Sequence, residues 1–265
     1  MHNKEISDLE NRISCRFKDQ SILTRSLTHK SLNQYENNEA LEFLGDRVLG
    51  LIISEKLISD FPNDLEGLIA YCARVSNPDN QNNSDTSEKL IKYLIKNKHW
   101  SPLEMVNACL EIETTRDIAR QILRHRSFSF QEFSQRYADP TKDLEFVTRE
   151  ARLQDTKNRQ NSIEIDTESD LHYAWESKQK DLLDLVRETY KWATDNGIAK
   201  EQARAVLPEG LTMSRMYMNG TLRSWVHYIE LRSANGTQKE HMEVAKACAI
   251  EIAKIFPLIG ELHND

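Results

Sequence analysis

Between Lys98 and Lys142 the chain carries no lysine, yet it holds Arg116, Arg120, Arg124, Arg126 and Arg136. Arginine alone points to a need for its planar fork, which meets phosphate or carboxylate oxygens with two parallel hydrogen bonds. Arg116, Arg120 and Arg124 are spaced four apart and drift slowly along one side of a helix. For Arg116 and Arg120 the simpler expectation is structural ion pairing, with Glu111, Glu113 and Asp117 as partners. Arg124-His125-Arg126 is different. Three adjacent groups that are or can be cationic repel one another, and a bound anion is the natural compensation. Ser134 follows seven residues later, without the Gly-x-Ser-x-Gly elbow of a hydrolase nucleophile, so its expected role is hydrogen bonding. Arg232, near the end of a helical stretch, has two readings: a cation favoured by the helix dipole, or a charge held for a ligand.

The elements that must position these groups follow from periodicity. Val106, Ala108, Leu110 and Ile112 alternate with polar residues and Cys109, which is the period of a half-buried strand. A helix is expected from about Thr115 to His125, then an extended or irregular segment through Phe128, Phe130 and Phe133. Further strands are expected near Phe146 to Leu153 and Leu211 to Tyr217. Helices are expected at Leu65 to Ala73, Glu88 to Lys96 (capped by Ser84, Asp85 or Thr86), Asp170 to Thr194, Asn219 to Arg232 and Lys239 to Phe256. Helices outweigh strands and the two periods interleave, giving an α+β class, with mixed α/β as the alternative.

The first sixty residues read as all-helical: Ile6 to Ile13, Ser21 to Thr28, and Glu39 to Ile58, the last with Leu41, Leu44, Val48, Leu51 and Ile52 as one buried stripe. Phe61-Pro62-Asn63-Asp64 breaks the pattern and marks a joint. The expected domains are therefore 1–64 and 65–265.

With 265 residues, 39 % of them hydrophobic and 29 % charged, the chain has material for a sizeable core. A formal net charge of -7 disfavours a surface that coats nucleic acid, though not a local cationic pocket. The four cysteines are scattered, so a disulfide framework or structural zinc is not expected, and a reducing cytoplasm fits. Cys72, Cys109 and Cys248 read as buried packing residues. No apolar run is long enough to cross a bilayer, and no Gly-x-Gly-x-x-Gly phosphate loop is present.

Arg124-His125-Arg126, seven residues, then Ser134 resembles the RHR-x7-S signature of flavin-dependent thymidylate synthases. Blocks at Ala73 to Pro78 (ARVSNP), His99 to Met105 (HWSPLEM), Gln202 to Pro208 (QARAVLP) and Gly220 to Arg232 (GTLRSWVHYIELR) are similar to that family in its order. The resemblance covers about 65–262. It implies reductive methylation of dUMP to dTMP, with FAD as cofactor and NADPH and methylenetetrahydrofolate as co-substrates. It implies a sheet of antiparallel type and a cytoplasmic homotetramer whose sites are built from several subunits.

By that resemblance Gln121, Arg124, Glu132, Ser134, Gln135, Arg136, Arg204 and Arg232 bind dUMP, and Arg232 is the catalytic group facing the uracil. FAD is held by Ser76, Ser101, Glu104, Arg124, His125, Arg126, Glu132, Thr221, Arg223 and His227. No metal is implied in this part of the chain. The family lacks a cysteine nucleophile; the protein positions rings and tunes charge while the cofactor carries the hard chemistry.

The N-terminal segment, with LEFLGD at Leu41 to Asp46, resembles the opening of ribonuclease III. Glu42 and Asp46 are four apart, where carboxylates can share a divalent cation such as Mg2+, and Glu39 lies near them. Cleavage by that family needs further carboxylates from a later helix, and after Asp64 the sequence already reads as the synthase, so no ribonuclease activity is expected. Helices also stand where synthase relatives begin with one or two strands, which raises the question of an uncovered sheet edge. Three functions remain open on sequence: the flavoenzyme, a double-stranded RNA endonuclease, and a fusion that has lost catalysis.

Overall fold

A computed structural model of the chain describes residues 3–45 and 64–261. It divides into two compact units, Met1–Pro62 and Asn63–Asp265.

In the first unit α1 spans Asn3–Arg12 and α2 spans Gln20–Ser26, with Asp19 capping α2 by accepting from the Ser21 and Ile22 amides. Glu39 pairs with Lys30, and Glu42 accepts from Asn38 Nδ2 at 3.3 Å. Asp46 lies outside the described residues, as do Val48, Leu51 and Ile52. Residues 39–45 are helical, but Leu44 is exposed, against the expectation of a buried stripe.

The second unit is built on a three-stranded antiparallel sheet of order β1-β5-β2, with β1 at Asn107–Thr115, β2 at Ser129–Glu132 and β5 at Met213–Thr221. β1 and β5 pair over nine residues from Asn107↔Thr221 to Thr115↔Met213. The alternation read from Val106 to Ile112 holds: Ala108 and Ile112 are buried and Asn107, Glu111 and Glu113 exposed. Cys109 shares the exposed face, so it is not the buried packing residue expected; the same alternation that buries Ala108 turns it outward. Cys248 is buried.

Around the sheet lie α3 (Leu65–Ala73), α4 (Ser87–Lys96), α5 (Arg116–Ile122), a short α6 (Pro140–Asp143), the hairpin of β3 (Arg152–Gln154) with β4 (Ser162–Glu164), α7 (Asp170–Asp195), a short α8 (Lys200–Ala203), α9 (Leu222–Ser233), α10 (Lys239–Ala253) and a short α11 (Leu258–Glu261). This is an α+β fold. One core joins Ile112, Met216 and Met218 of the sheet to Ile118 and Ile122 of α5, Leu222, Trp225 and Ile229 of α9, and Ile69 and Ile91 of α3 and α4. Trp225 satisfies its indole N–H on the Ala108 carbonyl at 3.0 Å, which locks α9 to β1. Gly220 permits a close approach of sheet to ring, since a Cβ there would lie 2.4 Å from the Phe128 ring.

Two expected boundaries and one expected capping bond differ. Asn219 to Thr221 belong to β5 rather than to the following helix, because Thr221 stops the ladder and caps α9 by accepting from the Ser224 amide. The strand expected at Phe146 to Leu153 is one bridge, Phe146↔Thr212, and then β3, because Gln179 of α7 takes both the amide and the carbonyl of Arg149 between them. Thr86 occupies the N-cap of α4 without a capping bond, its hydroxyl accepting from buried Arg74 instead.

Candidate functional site

The expected site residues gather in three groups arranged around α5 and the start of α9. Seven residues long, α5 separates its ends by roughly 10 Å.

At its N-terminal end Glu132 of β2 is the anchor. It takes Arg120 Nη2 at 2.9 Å, Arg116 Nη1 at 3.6 Å and the Ser214 hydroxyl at 2.9 Å. Arg116 and Arg120 are thus structural ion pairs, but not with the partners expected. Glu111 and Glu113 project from the exposed face of β1, where Arg215, opposite Glu113 in the ladder, binds them at 3.8 and 2.5 Å. Asp117 pairs with Arg149 at 2.8 Å. Burial is the main cause that holds the Arg116 guanidinium below its usual pKa, followed by its neighbour Arg120, and Arg204 adds to the effect. Arg136 and Arg204 meet at one residue, Glu201, through its carboxylate at 3.5 Å and its carbonyl at 3.3 Å. The chain turns at Ser134, whose hydroxyl accepts from the Arg136 amide at 3.4 Å. Gln135 beside it is 4 % exposed, and its amide nitrogen has no partner among the described residues. Arg136 and Arg204 are thus brought together at Glu201, with Ser134 and Gln135 immediately before Arg136 in the chain.

Past the C-terminal end of α5, Arg232 Nε donates to His125 Nε2 at 2.9 Å. Arginine cannot accept, so His125 Nε2 is unprotonated and the ring carries its proton on Nδ1. Burial, with Arg232 adding to it, pulls the His125 pKa down to about 4, so the imidazole is neutral at physiological pH. Its ring stands edge-on to Tyr228, centroids 4.9 Å apart. Tyr228 is buried, which pushes its phenol pKa up, and its oxygen lies 3.2 Å from His241 Nε2. His241 Nδ1 lies 3.3 Å from Gln121 Oε1. Gln121 donates to Gln238 at 2.9 Å and Gln238 to Glu240 at 2.9 Å. Arg149 Nη1, at 2.8 Å, and Arg152 hold Glu240 from the other side. Arg232, His125 and Gln121 are brought together; Arg124 and Arg126 flank His125, exposed and without an ion pair among the described residues.

The third group surrounds the start of α9. Arg223 binds Glu104, the last residue of a 3-10 turn opened by exposed Ser101. His227 stands edge-on to Trp100, centroids 4.5 Å apart, and Thr221 caps the helix. Ser76 lies exposed just after α3.

Sequence reasoning missed Tyr228, His241, Gln238, Glu240, Arg149 and Arg152. Tyr228 had a signal, because four residues before Arg232 is the same helical face. His241 had none, being 120 positions from the glutamine it touches. A cleft of about 970 Å³ lies beside this network, lined by Arg149, Arg152, Trp175, Gln238, Lys239 and Met242 among others, and by none of the expected residues.

The two histidines set a pH dependence. Burial, then Arg232 and His125, brings the His241 pKa down to about 4. Folded pKa values below the free-histidine value near 6.5 mean that the unfolded chain binds more protons between pH 6.5 and 4, so stability falls as pH drops through that window and is flat above it. The loss expected is roughly 3 kcal/mol for His241, the more buried of the two. Melting curves against pH, compared with His241→Asn, measure it. A wild-type curve that parallels the variant's between pH 6.5 and 4 would contradict neutral burial.

Comparison with known proteins adds three findings. The family model described as thymidylate synthase complementing protein matches residues 56–258. A Paramecium bursaria Chlorella virus 1 protein, named a probable flavin-dependent thymidylate synthase, is 49 % identical over 211 residues, 80 % of this chain and 96 % of that one. A crystal structure of the UMP/dUMP methylase PolB from Streptomyces cacaoi, bound with 5-Br dUMP, superposes with a TM-score of 0.64 at 26 % identity, covering 74 % of this chain and 89 % of that one. Separately, Ribonuclease 3 of Pelagibacter ubique is 52 % identical over 61 residues, 23 % of this chain but only 28 % of that protein. The N-terminal segment thus resembles the opening of a ribonuclease III, while over most of its length the chain belongs to the thymidylate synthase complementing protein family, Thy1.

Proposed function

We infer that the chain is a flavin-dependent thymidylate synthase that converts dUMP to dTMP, with FAD as cofactor and NADPH and methylenetetrahydrofolate as co-substrates. The observation that carries this reading is a guanidinium, Arg232, fixed on a neutral histidine inside the RHR motif. A cation held in that way can stabilise negative charge growing on a uracil ring as N3 ionises, without reorganising during the reaction.

The two ends of α5 hold complementary halves of a nucleotide site. Arg136, Arg204, Ser134 and Gln135 suit the phosphate, while Arg232, Gln121 and Arg124 suit the base and ribose. The reading includes the homotetramer that the family resemblance implies, in which another copy of the chain contributes to each site. Glu132 already holds Arg116, Arg120 and Ser214, so its contribution to a ligand is shared with these structural contacts.

For FAD the donor set fits an anionic, aromatic molecule. Arg124 and Arg126 offer guanidinium groups with no carboxylate partner among the described residues. Arg223 and Glu104 offer an ion pair, Ser76, Ser101 and Thr221 hydroxyls, and His227 and Trp100 ring edges. The chemistry FAD supplies when bound is hydride transfer. The protein's own part is to orient the rings and hold charge at Arg232.

No helix among the described residues is long and apolar enough to cross a membrane, and a cytoplasmic enzyme is proposed. The N-terminal unit spans too little of a ribonuclease III for cleavage to be expected of it. The test is product analysis on purified, FAD-supplemented full chain. dTMP should form from dUMP only when NADPH and methylenetetrahydrofolate are both present. Ligand-induced stabilisation without dTMP would instead favour a fusion that has lost catalysis.

A further inference from the structure

The hydrogen bonds linking α5, α9 and α10 have a direction, and it is imposed from one end. Glu240 is held by Arg149 and Arg152, and its carboxylate oxygens accept only. Gln238 must therefore turn its NH2 toward Glu240 and its oxygen toward Gln121. That oxygen takes the NH2 of Gln121, which leaves the Gln121 oxygen facing His241 Nδ1. His241 Nδ1 must then carry the ring proton, and its Nε2 is left as acceptor for the Tyr228 hydroxyl. For a neutral imidazole, the form that full burial favours, no other set of proton positions makes all four contacts at once. His241 is fully buried and Tyr228 is 1 % exposed, so water does not substitute for either.

We propose that His241 is a positioning residue for the synthase reaction: in one tautomer it orients the Gln121 amide and, through Tyr228, the His125 ring that holds Arg232. The two groups hydrogen-bonded to His241 lead to residues assigned to the nucleotide, one directly through Gln121 and the other through the packing of Tyr228 on His125, whose ring also lies edge-on to His241 with centroids 6.3 Å apart. Tyr228 and Arg232 are four apart on α9 and project from the same side. Displacing the phenol moves the surface on which His125 rests, and misplacement by an ångström in such a shell is enough for large losses in turnover.

This inference rests on the synthase reading, and its test separates the two. Nitrogen-resolved NMR of the full chain reports the tautomer without any turnover. At neutral pH His241 should show a protonated Nδ1 and a bare Nε2; the opposite tautomer or a doubly protonated ring overturns the proposal. Kinetics then use three variants. His241→Asn keeps a group only at the Nδ1 position and His241→Gln only at the Nε2 position, so each should lose kcat by about threefold to tenfold; His241→Leu keeps neither and should lose more than either, with FAD still bound in all three. A loss equal in all three and tracking their melting temperatures, or no loss in any, overturns positioning in favour of a packing role. If wild-type chain makes no dTMP under the same conditions, the synthase reading fails, and the NMR result alone decides the proposal.

Discussion

Arg232→Ala should lower dTMP formation by about a hundred- to thousandfold while the purified protein still binds FAD. The expected size is that of removing one preorganised charge from the place where transition-state charge appears. The retention of FAD follows from geometry, since the residues proposed for the cofactor lie at the RHR motif, the Glu104–Arg223 pair and the Trp100–His227 contact. His125 loses a hydrogen-bond donor in the variant but remains neutral, because burial is the main cause of its lowered pKa. Arg232→Lys should recover only part of the rate. An ammonium carries the charge but cannot keep one nitrogen on His125 and present the rest of a planar fork to the ring. Steady-state kcat together with the flavin spectrum measures both halves of the expectation. Turnover near wild type in Arg232→Ala would remove the residue from the reaction.

Arg204→Ala should act on binding rather than on chemistry. A charge-assisted contact to phosphate contributes about 1.5–3 kcal/mol, which corresponds to a rise in the dUMP Kd of roughly 10- to 150-fold. At saturating dUMP, kcat should stay within a few-fold, because phosphate contacts are made equally in ground and transition states. Arg204 is suited to this by its setting. Its Nε is spent on the Glu201 carbonyl, which fixes the stem and leaves the outer nitrogens for a ligand. Arg136 converges from the Glu201 carboxylate. Calorimetric titration with dUMP reports the affinity directly, and an unchanged Kd would refute the phosphate role.

What was legible in the sequence is what depends on neighbours along the chain. The alternation from Val106 to Ile112 and the apolar periodicities of the helices placed most elements to within a few residues. The RHR motif and its ordered companions located the arginines. What depends on register between distant segments was not legible. Glu132 rather than Glu111 or Glu113 receives Arg116 and Arg120, because β2 lies on the opposite edge of β5 from β1. Arg149 interrupts an expected strand because a buried glutamine on α7 captures its backbone, a contact spanning 30 positions. The His241 network joins three elements by side chains alone, and no local pattern announces it. Cys109 shows the converse error: its exposure was implied by the strand period, and a general preference for buried cysteine was followed instead.

The central claim is that two arginine groups held apart in one chain close on a single uridylate contributed to by different copies. Co-assembly of Arg204→Ala chains with Arg232→Ala chains tests it most directly, through dUMP-dependent NADPH oxidation and dTMP yield. At dUMP well below the wild-type Kd, where the weakened binding of Arg204→Ala limits its rate, each variant alone should be impaired, while random mixing restores both arginines in about a quarter of shared sites. Activity returning toward that fraction of wild type is the predicted result. A mixture that is no more active than the average of its two components would contradict a site shared between copies.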